Sequence, residues 1–130
     1  MTLGSPYQLA SPRQSRTSTL YDRYTHLHVP ADELPRAGRP ARPLPVPATS
    51  IFTRTDGVVA PATCTEPPTE RAETIEVQGS HSGLGHHPAA VYAIADRLAQ
   101  PTGTWSPFVP PRVLRRLYPV PPDGHLRAAS

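Results

Sequence analysis

Proline governs what this chain can fold into. Nineteen of its 130 residues are proline, and they crowd into Pro30 to Pro47, Pro61 to Pro68 and Pro101 to Pro122. Each one removes a backbone donor and fixes φ, which bars these tracts from the interior of a sheet. Four windows remain for regular structure and a core: residues 1–9, 49–59, 73–78 and 88–99. Ordering a backbone costs about 1–2 kcal/mol per residue. With so little apolar material to offset that cost, the chain is not expected to order alone.

Each window has a readable character. Met1-Thr2-Leu3-Gly4-Ser5-Pro6-Tyr7 reads as the end of a strand running into a turn. A short helix is predicted over residues 18–28, with Ser18 as N-cap and Leu20, Tyr24 and Leu27 on one face. From Val29 to Pro47 the chain reads as an extended Pro/Arg-rich spacer. Its bare P-x-x-P, Pro40-Ala41-Arg42-Pro43, has no correctly placed flanking arginine and reads as a spacer rather than a ligand motif. Thr49 to Thr55 is β-rich and reads as a buried strand ending just before Asp56. Residues 60–72 form an irregular or weakly helical link. Glu73 to Gln78 alternates around Ile75 and Val77 as a second strand. After a loop with Gly79, Gly83 and Gly85, Pro88 opens a helix whose apolar face is read as Val91, Ile94, Ala95 and Leu98. Pro101 and Gly103 stop it. In the tail, Trp105, Phe108, Leu114 and Leu117 are expected to pack on the domain edge, with a helical turn at residues 111–117.

The order is strand, helical connector, strand, link, strand, helix. It predicts an α/β class with a parallel sheet of about three strands. Three parts follow: 1–48, a strand end, short helix and Pro/Arg connector that is a candidate lid; 49–108, the α/β core; and 109–130, a Pro-rich tail.

Charge and cysteine content exclude several function classes. The net charge is +3, and all thirteen basic residues are scattered arginines. No basic stripe or aromatic platform for nucleic acid is visible, and Arg112, Arg115 and Arg116 read as a solvated helix face. Cys64 is the single cysteine, so an internal disulfide and a four-thiolate zinc site are excluded. No apolar run approaches the ~20 residues of a membrane-spanning helix. The N-terminus has no basic and hydrophobic leader pattern; a start upstream of Met1 would leave the destination open.

Chemistry concentrates in two loops. Asp56, in Thr55-Asp56-Gly57-Val58-Val59, precedes His81, in Gly79-Ser80-His81-Ser82-Gly83-Leu84-Gly85, by 25 positions. Each follows a strand, and in open α/β sheets chemistry gathers at the carboxyl ends of strands. An aspartate accepting from one ring nitrogen fixes the histidine tautomer and stabilises the imidazolium formed when the other nitrogen takes a proton. His81, His86 and His87 do not read as a metal set, since adjacent histidines point apart. His26 and His28 read as structural. No cofactor is implied.

The segments Ser50 to Val59, Glu76 to Gly85 and Ala95 to Ala99, together with Thr2-Leu3-Gly4-Ser5-Pro6-Tyr7, resemble the C-terminal part of bacterial α/β-hydrolase-fold proteins of the esterase and lipase type. The resemblance implies Asp56 as triad acid and His81 as general base, in the family order Ser, Asp, His. It places the nucleophile elbow before residue 1, and G-x-S-x-G occurs nowhere in the sequence. Ser80 and Ser82 sit beside the histidine without an elbow, and Ser5 precedes a proline; all three read as turn residues.

The expected function is therefore a truncated serine hydrolase that carries acid and base but no nucleophile and is inactive alone. The complete protein would take an ester or lipid-like small molecule. Two alternatives follow from the same residues: a non-catalytic partner complementing a separate serine-bearing chain encoded upstream, and a Pro-rich disordered binding segment.

Overall fold

The computed structural model describes residues 1–6, 23, 44–65 and 69–119. Of the helix expected at 18–28, only Arg23 falls among them, and it is helical. Most of the spacer, including the P-x-x-P, lies outside the described residues, as does most of the candidate lid.

The centre is a parallel sheet of three short strands: β1 (Thr2–Leu3), β2 (Ala48–Phe52) and β3 (Ala72–Glu76), in the order β1-β2-β3. Leu3 faces Ile51, and Ile51 faces Ile75 across the ladder. β2 is buried along its whole length, as a parallel strand flanked and covered on both faces must be. Its alternation separates two small cores. Ile51 joins Ile75, Val77, Leu84, Ala89, Ala90, Ala93, Phe108 and Tyr118 on one face, while Phe52 meets Val59 and Cys64 on the other. Polar side chains inside β2 are paired, as burial demands. Thr2 Oγ1 donates to Ser50 Oγ at 3.1 Å, the Ser50 hydroxyl donates to the Cys64 carbonyl, and Thr49 Oγ1 donates to Glu73 at 3.0 Å.

Both main strands end short of their expected limits, at Phe52 instead of Thr55 and at Glu76 instead of Gln78. The last ladder bond runs from Val77 N to Phe52 O at 2.9 Å. Beyond it, threonine side chains replace the backbone as the link between the two chains. Residues 61–63 make a single 3-10 turn in the link.

The helix α1 (Pro88–Leu98) starts at Pro88 as predicted, and His87 Nδ1 caps it by accepting from Ala89 N at 3.2 Å. Of the predicted face, Ile94 packs partly buried against the core, but the fully buried residues are others. Ala89, Ala90 and Ala93 are fully buried, whereas Val91 is 48% and Leu98 74% exposed. Methyl side chains let the helix axis approach the sheet closely, and a covering tail supplies the bulk that a leucine face would have brought. Phe108 packs there as expected and Leu114 is partly buried; Leu117 is largely exposed. The tail residue that matters most is Tyr118, which sequence reading missed. It stacks on Phe108 at a centroid distance of 4.9 Å and donates to the Ala89 carbonyl at 2.8 Å. The Arg115–Leu117 turn delivers it.

A carboxylate locks these layers together. Glu73 Oε1 accepts from Arg97 at 3.1 Å, and Glu73 Oε2 accepts from the Phe108 amide at 2.6 Å. Both side chains of the Glu73–Arg97 pair are under a tenth exposed, at 8% and 7%. Arg97 also reaches Asp96 and the Ser106 carbonyl, and lies 5.6 Å from the Phe108 ring centroid. Removing one partner of a buried pair typically costs about 3–5 kcal/mol, a large share of the roughly 5–15 kcal/mol that holds a domain folded. Arg97→Ala is therefore expected to lower the unfolding free energy by an amount of that order, seen as a lower urea midpoint. A midpoint unchanged from the parent chain would show the pair to be dispensable.

Candidate functional site

Three strand ends meet at the carboxyl rim of the sheet. After β2, residues 53–55 turn and deliver Asp56, whose amide bonds weakly to the Thr53 carbonyl at 3.4 Å. After β3, the glycine-rich loop turns through Ser80 and into the 3-10 segment Leu84–His86, with Leu84 N bonded to Ser80 O at 3.1 Å. Leu84, 2% exposed, anchors this loop in the core. His81 is thereby held over Asp56, and its Nδ1 lies 2.8 Å from Asp56 Oδ2.

Asp56 divides its labour by oxygen. Oδ1 accepts from Val58 N and Val59 N, both at 2.8 Å, closing the Asp-Gly turn. Oδ2 faces the imidazole. The side chain is only 1% exposed, against 33% for His81. Burial pushes the carboxyl pKa up, but the amide of Val59, the ring of His81 and the amide of Val58 together outweigh it and hold the group below its ordinary value. Asp56 is therefore ionised at neutral pH and can only accept, so the ring donates from Nδ1. The neutral imidazole then carries its lone pair on Nε2. Among the described residues Nε2 has no hydrogen-bond partner.

Gly4, at the end of β1, closes the back of this pair. Its φ is +52°, and a Cβ there would sit 2.9 Å from Leu84 Cδ1, 3.2 Å from His81 Nδ1 and 3.4 Å from Asp56 Oδ2. Gly4 N also donates to Ile51 O at 2.8 Å, fixing the turn to β2. The sequence marks Gly4 as a strand-end glycine but gives no sign that it abuts the acid and the histidine.

The remaining candidates lie elsewhere. Ser80 Oγ accepts from Gly83 N at 3.2 Å, and Ser5 Oγ donates to Leu3 O at 3.3 Å; both are loop bonds, and Ser82 is exposed. Among the described residues no serine bonds the His81 ring. His87 is used as the α1 cap and His86 is exposed. No cluster of three His, Cys, Asp or Glu side chains is arranged for a metal among the described residues. Cys64 is fully buried; burial raises its thiol pKa, a hydrogen bond with Thr63 offsets this in part, and the Asp56 charge adds to it. It is a thiol at neutral pH, not a nucleophilic thiolate. No helix among the described residues is long and apolar enough to cross a membrane.

Comparison of the chain with protein-family models, with curated proteins and with solved structures finds no match.

Two outcomes are expected from this geometry. Gly4→Ala places a side chain in a left-handed conformation against buried atoms, and about 1–3 kcal/mol of stability should be lost, measurable by denaturant titration. The second concerns acid. Because the folded-state pKa of Asp56 is depressed, its contribution to stability is fully present above the ordinary aspartate value of about 3.9. It drains away as pH falls below that value through the lower folded one. Denaturant midpoints measured from pH 6 to pH 2 should fall more steeply for the parent chain than for Asp56→Asn; parallel curves would contradict the assignment.

Proposed function

We propose that Asp56 and His81 are the acid and general base of a serine-hydrolase site, within an α/β-hydrolase type of sheet, acting on a carboxylic ester or lipid-like acyl substrate. The observation that carries this reading is the 2.8 Å Nδ1–Oδ2 contact at the carboxyl ends of neighbouring parallel strands. Such a rim is where open α/β sheets place their chemistry. The order of acid before histidine agrees with the resemblance to esterases and lipases.

In this reading Asp56 holds His81 in the Nδ1–H tautomer, leaving Nε2 to accept a proton from an attacking hydroxyl. The ionised carboxylate then stabilises the imidazolium while the acyl group is attached to the nucleophile. His81 returns the proton to the alcohol as it leaves and the acyl-enzyme forms, then takes a proton from the water that attacks the acyl group and passes it to the nucleophile as the acid departs. The hydroxyl and the oxyanion-binding amides are not among these 130 residues in any recognisable motif. They are proposed to come from a serine-bearing segment that adds to the sheet beyond β1, which pairs with β2 and with no other described strand. A parallel strand with one unpaired side is a ready acceptor for another.

The chain alone is expected to give no His81-dependent hydrolysis of a p-nitrophenyl ester. Co-expression with a segment carrying G-x-S-x-G, where the reading frame upstream encodes one, should give turnover, and His81→Ala in that assembly should lower kcat by roughly 10²–10⁴-fold, as loss of a general base does. Hydrolysis by the assembly that survives His81→Ala intact would overturn the assignment.

A further inference from the structure

The loops that carry Asp56 and His81 part company after the last ladder bond, yet their tips remain within hydrogen-bond reach of each other. The reason lies in two threonines. Thr53 Oγ1 donates to the Gly79 carbonyl at 2.9 Å, and Thr55 Oγ1 donates to the same carbonyl. The two hydroxyl oxygens lie 3.0 Å apart, and Thr55 N donates to Thr53 Oγ1 at 3.4 Å. The donor count closes: two hydroxyl protons meet the two lone pairs of one carbonyl. Thr53 is 1% exposed and lies in the packed interior, whereas Thr55 is on the surface.

The clamp grips both loops next to their reactive members. Thr53 and Thr55 precede Asp56 by three residues and one, and Gly79 precedes His81 by two. No other described side chain ties residues 53–55 to residues 78–80. We propose that Thr53 and Thr55 are positioning residues for the acid–histidine pair: by holding the Gly79 carbonyl they set the separation of the two loop tips and so fix which nitrogen of His81 faces Asp56. The functional meaning of this clamp rests on the hydrolase reading; its effect on the imidazole does not.

The pair tolerates little slack. A hydrogen bond weakens steeply once distance and angle leave their narrow range. The carboxylate cannot follow a displaced ring, because Oδ1 is committed to Val58 and Val59. Loosening the Gly79 carbonyl therefore moves His81 away from an acceptor that stays where it is.

The test is long-range ¹H–¹⁵N NMR of the His81 ring in the full 130-residue chain at neutral pH, which reads tautomer and not turnover. The parent chain should show a single Nδ1–H tautomer with a slowly exchanging ring proton. Thr53→Val and Thr55→Val each keep the side-chain shape and remove the hydroxyl; each should lose that fixed signal and average between tautomers, with Thr53→Ser and Thr55→Ser restoring it. Thr55 is on the surface, so Thr55→Val decides the question even where Thr53→Val impairs folding. A parent chain without a fixed tautomer, a folded valine variant that keeps it, or serine variants that fail to recover it would each overturn the clamp. A fixed tautomer lost and rescued as expected, beside an assembly with no His81-dependent esterase activity, would uphold the clamp and remove the hydrolase reading.

Discussion

The rim of this sheet is organised by one buried carboxylate whose oxygens have separate duties. An ionised carboxyl group taken out of water is unfavourable unless its lone pairs are met by donors. Asp56 meets three: two backbone amides on one oxygen and an imidazole on the other. The amides come from the turn that Asp56 itself nucleates, so local chain geometry secures the charge before the histidine is involved. An Asp-Gly turn former and a partner for histidine are thus the same residue in one arrangement. The turn fixes the carboxylate, and the fixed carboxylate orients the ring.

The second charged centre, at the opposite end of β3, explains how such a modest core is held. The apolar clusters are small, and α1 contributes alanines to them. Short strands bury little area each, and at about 25 cal/mol per Å² that leaves limited stabilisation against backbone ordering. β3 is held by charge at both ends. Glu73 joins β2, α1 and the Phe108 amide, while Glu76 accepts Arg54 Nε with both oxygens, at 2.9 and 2.8 Å. Alternation around Ile75 and Val77 suggests an outward Glu76, yet it is 6% exposed. Its guanidinium partner leans over from the adjacent loop and reaches solvent on its behalf. Directional bonds of this kind set strand ends and loop exits more sharply than apolar contact would, which suits a sheet whose rim carries the proposed chemistry.

What was legible in the sequence follows from how local each signal is. Pro88 as a helix start, the β-rich run before Asp56, and the parallel order of three strands rest on short-range chemistry, and the structure has them. The inward face of α1 was legible only at Ile94. Val91, Ile94, Ala95 and Leu98 form the greasier stripe, but which stripe turns inward depends on what covers the sheet, and here Phe108 and Tyr118 fill the space that leucines would occupy. Thr53 and Thr55 look like ordinary β-formers, and their lengthening of the predicted strand is a consequence: their hydroxyls take over where the backbone ladder stops. Gly4 reads as a turn glycine, and its closeness to the acid and histidine depends on a contact across more than fifty residues of chain that no local pattern encodes. The meeting of Asp56 with His81 was legible because the expectation rested on strand ends in one sheet, a topological constraint independent of the intervening proline tracts.

The same contacts decide from which side a reacting group must approach. On the Nδ1 side the ring is closed by Asp56 and by the Gly4 backbone, where even a methyl group would crowd the nitrogen. A third of the His81 side chain is left to solvent. In the proposed reading a hydroxyl must reach Nε2, and among the described residues Ser80 and Ser82 do not bring one there: they flank His81 in the backbone and so cannot approach their neighbour's far nitrogen in line. Nε2 has no hydrogen-bond partner among the described residues, and the proposed reading would have a donor reach it from a segment added beyond β1. The Asp56 turn and the Gly4 contact already hold the acid and the ring from the Nδ1 side, so any positional freedom left in such an arrangement lies with the group that approaches Nε2.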